Sequence, residues 1–271
     1  MIALDGVSFS YPNGHLAIED VSLTFNRGES VAIVGQNGAG KTSVAKLMDG
    51  LFKPSIGAVT VDGDDTREHT TAQISRKVGY VFQNPDDQIF HNDVYSELEF
   101  GPKTLGTTGT ELESVVYAAA ELAGIDRYLD ENPYNLPFST RKFVAVASTL
   151  AMGCDAFILD EPTAGQDKQG METIGHIVDS LKSEGKTVIT ITHDMQFVVD
   201  NFDRVVVMAD RRVIADGDKR SIFWNHDVLD KAMLKQPYLS DLAHQLGLHG
   251  DILNIDEFVG GFARTREGLK N

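Results

Sequence analysis

The chain has 271 residues, room for one large or two modest domains around a substantial core. Its 24 Lys and Arg against 40 Asp and Glu leave a net charge of −16, which argues against a general nucleic-acid binder, since that needs a basic footprint. With Cys154 as the single cysteine, the sequence holds no disulfide framework and no cysteine metal site, and the apolar neighbours of Cys154 mark it as a small buried hydrophobe.

In chain order, Val21, Leu23 and Phe25 alternate with polar residues in the manner of a half-buried strand. "VAIVG", Val31 to Gly35, is the continuous apolar run of a buried strand. "KTSVAKLMDGL" follows with helical spacing and closes at Gly50. "AVTVDG" and "KVGYVFQ" predict further short strands, the second ending at Gln83. From about Asn92 to Ala151 the pattern is helical, broken by "GTTGTE" and "NPYNLP". Strands return at Phe157–Leu159, Val188–Ile191 and Val205–Met208, with helical segments between, and "VVVMADRRVIADGD" predicts a hairpin. Such alternation implies a mostly parallel sheet with a helical insertion. Residues after about Arg220 form a helical tail ending in "VGGFARTREGLKN". No apolar run reaches the ~18 residues of a membrane span, and "MIALDGVSFSYPNG" lacks the basic region and apolar core of a signal peptide. The expectation is a cytoplasmic chain that works at a membrane only if another chain holds it there.

"GQNGAGKT" matches the P-loop spacing in its required place, after a buried strand and before a helix. Its residues Gly35, Gln36, Asn37, Gly38, Ala39 and Gly40 turn successive N–H groups toward phosphate oxygens, and the helix start adds partial positive charge. Lys41 would reach the β- and γ-phosphates and the Thr42 hydroxyl would ligate Mg²⁺, with Ser43 beside them in the nucleotide-binding loop. "AFILDE" places two carboxylates at the carboxyl end of a buried strand, where ligands bind in open α/β sheets. Asp160 fits the metal-holding role, directly or through water, and Glu161 fits the group that orients or deprotonates attacking water. His193, just past the strand in "VITITHD", can reach the γ-phosphate or the water. Gln83 offers an amide to both Mg²⁺ and water, and Tyr11, before the turn "YPNG", can stack on a base.

These elements in this order resemble the nucleotide-binding domain of ATP-binding cassette (ABC) transporters over roughly residues 2–217. The resemblance rests on Tyr11, Walker A at 35–42, a Q-loop at Gln83, Walker B ending at Asp160 and Glu161, a D-loop in "AGQD" at Asp167, and His193. More narrowly, "VFQNPDDQIF", "PTAGQD" and a tail of about fifty residues look like the ATPases of energy-coupling factor (ECF) transporters, the cobalt and vitamin group. The resemblance implies an α/β P-loop NTPase fold with a RecA-like parallel core sheet, an antiparallel β subdomain, a helical subdomain inserted at about 91–154 and a short C-terminal extension. An ATP-binding cassette would cover 1–219, and the extension 220–271 has dimerisation as its candidate role. ATP and Mg²⁺ are the implied cofactors. The implied partners are a second related ATPase, a transmembrane coupling protein and a substrate-binding membrane subunit, with no nucleic acid; the implied location is the cytoplasmic side of the cell membrane, peripherally. "NPDDQIF" would dock the coupling protein, with Asp87 and Gln88 as positions to test and Phe90 as either an apolar contact or core.

One motif departs from the family. The Leu-Ser-Gly-Gly-Gln signature aligns, without insertion, on Leu136, Pro137, Phe138, Ser139 and Thr140. Pro137 lacks both the hydroxyl and a backbone N–H, and Phe138 puts bulk where backbone should approach phosphate. Cassettes of this family dimerise head to tail, each ATP lying between one P-loop and the other chain's signature. The altered signature therefore implies a heterodimer with a partner whose signature is intact. Two alternatives remain at this stage: a nucleotide-binding regulatory module without turnover, and a soluble ABC ATPase not tied to transport.

Overall fold

The computed structural model describes residues 2–248 and 250–268. Strands β1 (Ile2–Ser10), β2 (Leu16–Phe25), β3 (Ser30–Gly35), β4 (Ile56–Val61) and β5 (Asp64–Asp65) precede β6 (Val78–Val81), β7 (Ala156–Asp160), β8 (Thr187–Ile191), β9 (Arg204–Ala209) and β10 (Arg212–Asp218). They form two sheets, an antiparallel one in the order β2-β1-β4-β5 and a six-stranded one in the order β10-β9-β3-β8-β7-β6. From β9 to β6 the larger sheet is parallel, and β10 closes its edge as an antiparallel hairpin.

β3 lies between β9 and β8 and is buried along its whole length, which is why "SVAIVG" shows no alternation of polarity. Its side chains alternate between two cores. Val31 and Ile33 join the core shared with the antiparallel sheet and with Val44 and Leu47 of α1 (Lys41–Met48). Ala32 and Val34 join the opposite core, formed with α6 (Lys168–Ser183) and α7 (Met195–Asn201). The short helix α2 (Thr71–Ile74) opens on a capping box from Thr70 and Gln73.

Between β6 and β7 the chain leaves the sheet for α3 (Val94–Thr104), α4 (Gly109–Leu122) and α5 (Phe138–Ala151). These helices share a core around Leu98, Val116, Ile125 and Val144. After β10 come α8 (Lys219–Phe223), α9 (His226–Lys231), α10 (Tyr238–Gln245) and α11 (Ile255–Gly268). A small core of Ala243, Leu248 and Ile252 holds this tail, and Arg220 pairs with Glu257 at 2.8 Å. Of the expected helical tail, His249 and Leu269 to Asn271 lie outside the described residues, as does Met1 of the expected cassette.

One strand boundary differs from expectation. β6 ends at Val81, so Gln83 stands on the following loop and not on the strand. The Phe82 N–H turns away from the ladder to the Gln88 side-chain Oε1 at 3.0 Å. The Gln88 Nε2 in turn donates to Ala145 O at 2.9 Å and Thr149 Oγ1 at 3.0 Å. Gln88, which also lines the neighbouring cleft, is therefore an internal strut between strand end and helix, so a charge placed there would disturb the fold as well as any docking surface.

Candidate nucleotide-binding and hydrolytic site

The loop from Gly35 to Gly40 connects the end of β3 to α1 through three glycines of positive φ. At Gly35 a β-carbon would collide with the Met208 carbonyl of β9, and at Gly40 it would lie 2.6 Å from Ile18 Cγ2. Glycine at those two positions is a requirement of packing as well as of φ. Gly38 faces open space. Ala39 is buried beneath the loop, while Gln36 is half-buried and Asn37 exposed. Lys41 is buried, and its ammonium donates to Gly35 O at 2.6 Å and Gln36 O at 3.1 Å, folding the side chain back under the loop. Burial pulls its pKa down, against the opposing pull of Glu161 and Asp160.

The loop forms one wall of a cleft of about 380 Å³, lined also by Tyr11, Thr42, Ser43, Gln83 and Glu161. That size suits a small-molecule site. Asp160, at the end of β7, is fully buried. Its Oδ2 accepts from the Tyr80 hydroxyl at 2.8 Å, and its Oδ1 has no hydrogen-bond partner. Burial raises its pKa, while the Tyr80 and Thr42 hydroxyls lower it. An orphaned carboxylate oxygen in so dry a place is expensive without a cation. Beside Thr42 and the cleft, the donor set suits a hard divalent ion that takes one or two protein oxygens and otherwise phosphate and water.

Glu161 follows with φ +50° and its N–H on Ile191 O at 2.8 Å. Its Oε2, which has no aligned hydrogen bond, lies 2.8 Å from Nδ1 of His193. His193 is itself 68% exposed and stands over Glu161, outside the ring of residues that line the cleft. Gln83 is exposed on its loop but does line the cleft. Tyr11 lines it too, its hydroxyl 2.9 Å from Ser43 Oγ and its ring against Phe9 and Phe52. The structure thus brings Tyr11, Lys41, Thr42, Ser43, Gln83 and Glu161 to one cleft, with Asp160 beneath it and His193 above Glu161.

The altered signature opens α5 some distance along the chain from these groups. Leu136 is buried; Pro137 is the N-cap and has no side-chain acceptor for the first amides of the helix. Phe138 is exposed, and Ser139 and Thr140 are half-buried. Ser139 O accepts from Gln166 Nε2 at 3.0 Å. Asp167 caps α6 through Gly170 N at 2.8 Å. None of these lines the P-loop cleft of this chain.

Two functional candidates escaped the sequence reading. Tyr80 holds Asp160, and Lys142, from inside α5, donates to the carbonyls of Glu161 and Ala164. The sequence signal for Tyr80 was a lone hydroxyl in a strand otherwise free of polar side chains. For Lys142 it was a cation among the apolar residues of an amphipathic helix.

Parallel core sheet, phosphate loop and paired strand-end acids together define a P-loop NTPase. The chain belongs to the ABC transporter family, whose model matches residues 18–164. It is 38% identical over 261 residues to a putative ABC transporter ATP-binding protein of Pyrococcus furiosus, covering 96% of this chain and 99% of that one. It is 37% identical over 252 residues to the energy-coupling factor transporter ATP-binding protein EcfA of Methanothermobacter thermautotrophicus, covering 92% and 81%. Among solved structures it is similar to cbiO1 of Clostridium perfringens, part of the ABC transporter complex cbiONQ, with a TM-score of 0.76, 31% identity and coverage of 91% and 98%. The chain is an ATP-binding ABC transporter ATPase.

Proposed function

We propose that this chain energises an ECF-type importer of a vitamin or metal ion as one half of an ATPase heterodimer, held peripherally on the cytoplasmic face of the membrane. The observation that carries the reading is an asymmetry within the chain. The P-loop, Asp160, Glu161 and His193 stand together, while the helix that should complete the opposite site begins with Pro137 and exposed Phe138. The similarity to EcfA and to cbiO1 supports the ECF assignment.

Mg²⁺ would be held by Asp160 Oδ1, Thr42 and Gln83, where it would neutralise charge gathering on the β- and γ-phosphates. The P-loop amides and Lys41 bind and orient the triphosphate. Glu161 aims a carboxylate at the attacking water and receives its proton, and His193 beside Oε2 keeps that carboxylate oriented. A partner's intact signature would complete this site and stabilise charge on the γ-phosphate. The partner's P-loop would face Leu136 to Thr140 here and turn over slowly. Asp167, the N-cap of α6, would lie at the contact with the partner.

The coupling protein would seat in a second cleft, of about 490 Å³, between α2, α3 and the loop after β6. Phe90, 58% exposed, packs edge-on against exposed Phe100 at 4.9 Å, with Leu51 and Leu105 nearby. An apolar, aromatic floor of this kind fits an amphipathic segment, and no helix among the described residues is long and apolar enough to cross a membrane. For the extension 220–271 we propose dimerisation, on the exposed stripe of Ile255, Val259 and Phe262 along α11.

The test is to isolate the complex from membranes through a tag on this chain. A second ATPase and an integral membrane protein should co-purify, and the isolated chain should hydrolyse ATP negligibly. Robust hydrolysis by a homodimer refutes the asymmetric model.

A further inference from the structure

The turn that carries Glu161 has an unfavourable backbone. Its φ of +50° lies in the left-handed region that a β-carbon disfavours, and such a conformation lasts only where its surroundings over-determine it. On one side the Glu161 N–H is fixed to Ile191 O of β8 at 2.8 Å. On the other its carbonyl accepts from Lys142 Nζ, which arrives from α5 and also donates to Ala164 O at 3.0 Å. Lys142 is 3% exposed, so a complete ammonium is buried on two main-chain carbonyls, with the Phe138 ring 5.9 Å away. Burial lowers its pKa while the Glu161 and Asp160 carboxylates raise it, so the cation and the acids sit within each other's field.

We propose that Lys142 is a positioning residue for Glu161: its ammonium locks the turn from Glu161 to Ala164 and thereby aims the carboxylate at the attacking water. This rests on the reading of Glu161 given above. Lys142 does not line the nucleotide cleft, so its contribution falls on the chemical step and not on binding. It also joins α5, whose first residues are the altered signature, to the water-directing acid within one chain.

The experiment uses the membrane complex purified through a tag on this chain, carrying Lys142→Met, Lys142→Gln or Glu161→Gln, with Mg·ATP as the probe. Methionine keeps the length without a donor; glutamine keeps an amide donor without the charge. Lys142→Met should lower kcat by about 10–100-fold, the scale of a small misplacement at a reacting centre, with KM and Mg·ATP affinity changed less than about twofold. Lys142→Gln should fall between Lys142→Met and the native chain. Native kcat in Lys142→Met, or loss of affinity in step with kcat, overturns the proposal. Should Lys142→Met fail to assemble, Lys142→Gln decides by the same split. Lowered kcat at unchanged KM supports the role, and a native kcat or a raised KM overturns it. Glu161→Gln separates the two readings. A normally active Glu161→Gln removes the assigned role of Glu161, whereas an inactive Glu161→Gln beside a native Lys142→Met removes only that of Lys142.

Discussion

Tyr80 donates its hydroxyl to Asp160 Oδ2 at 2.8 Å, so one oxygen of the buried carboxylate is anchored and the other, Oδ1, is left for a cation. Tyr80→Phe removes the anchor from Oδ2. Loss of such a supporting hydrogen bond typically costs 10–100-fold in metal affinity or activity. We expect the Mg²⁺ concentration needed for half-maximal ATP hydrolysis to rise by about tenfold. An unchanged Mg²⁺ titration would remove Tyr80 from the site.

Lys41 and Glu161 should separate binding from turnover. Lys41→Ala removes the cation beneath the phosphate loop, and Mg·ATP affinity should fall by at least about tenfold, the worth of one charge-assisted contact. Glu161→Gln keeps the shape of the carboxylate and should leave affinity intact while abolishing hydrolysis. Equilibrium binding and phosphate release, measured on both variants, check this; equal loss of binding in the two would sink the role assigned to Glu161.

Phe90→Asp should reduce substrate uptake in cells and release the chain from the membrane complex, while Mg·ATP affinity of the purified chain stays native. Phe90 is exposed and does not line the nucleotide cleft, so charge there should act on docking rather than on ATP binding. Gln88→Ala serves as the contrast. It strips four hydrogen-bonding contacts between strand end and α5 and should destabilise the fold by about 1–3 kcal/mol. Cofractionation and thermal melting distinguish the two outcomes.

Asp49 gives the chain a specific pH response. Burial pushes its carboxyl up to about 8, with Lys53 opposing, and its Oδ1 has no partner. Since the unfolded chain ionises near the ordinary value of 3.8, the folded state holds one extra proton between about pH 4 and pH 8. Stability from this group is therefore full at low pH and declines as pH rises through that window. Asp49→Asn should melt several degrees above the native chain at pH 8 and together with it at pH 4. Parallel melting curves at both pH values would contradict the assignment.

The isolated chain should show negligible ATPase activity, and replacing residues 137–139 with Ser-Gly-Gly should raise it. Pro137 and Phe138 are exposed, so the exchange should leave the fold intact. Hydrolysis measured against protein concentration reports both effects, because a site completed by a second copy depends on dimer formation.

The parts of this site that were legible in the sequence are those whose residues are consecutive. The phosphate loop and "LDE" carry fixed spacing on strands whose unbroken apolar runs announce burial. What was illegible depends on contacts across the chain. Tyr80 and Asp160 are 80 residues apart, and Lys142 and Glu161 are 19 apart. A lysine in an amphipathic helix ordinarily reads as solvent-facing, and its place among the apolar residues of α5 is only a faint sign that Lys142 turns inward. Gln88 misled in the opposite direction, since a polar residue in "NPDDQIF" resembles surface until its amide is seen joined to Ala145 and Thr149. The end of β6 was overrun by two residues for the same reason: Gln88, and not the strand ladder, takes the Phe82 amide.

Phe138 stands one helical turn before Lys142 with its ring 5.9 Å from the ammonium, and Gln166 Nε2 reaches the Ser139 carbonyl at 3.0 Å. Substitutions at 138 and 142 are therefore expected not to add, as is usual for residues in contact. The mutational landscape around this helix start is epistatic: the effect of removing the ring depends on which residue occupies 142. The gain from installing Ser-Gly-Gly will accordingly differ between a lysine and a glutamine background. A scan that alters one position at a time misjudges both, and the shortest route to an active second site passes through combined exchanges.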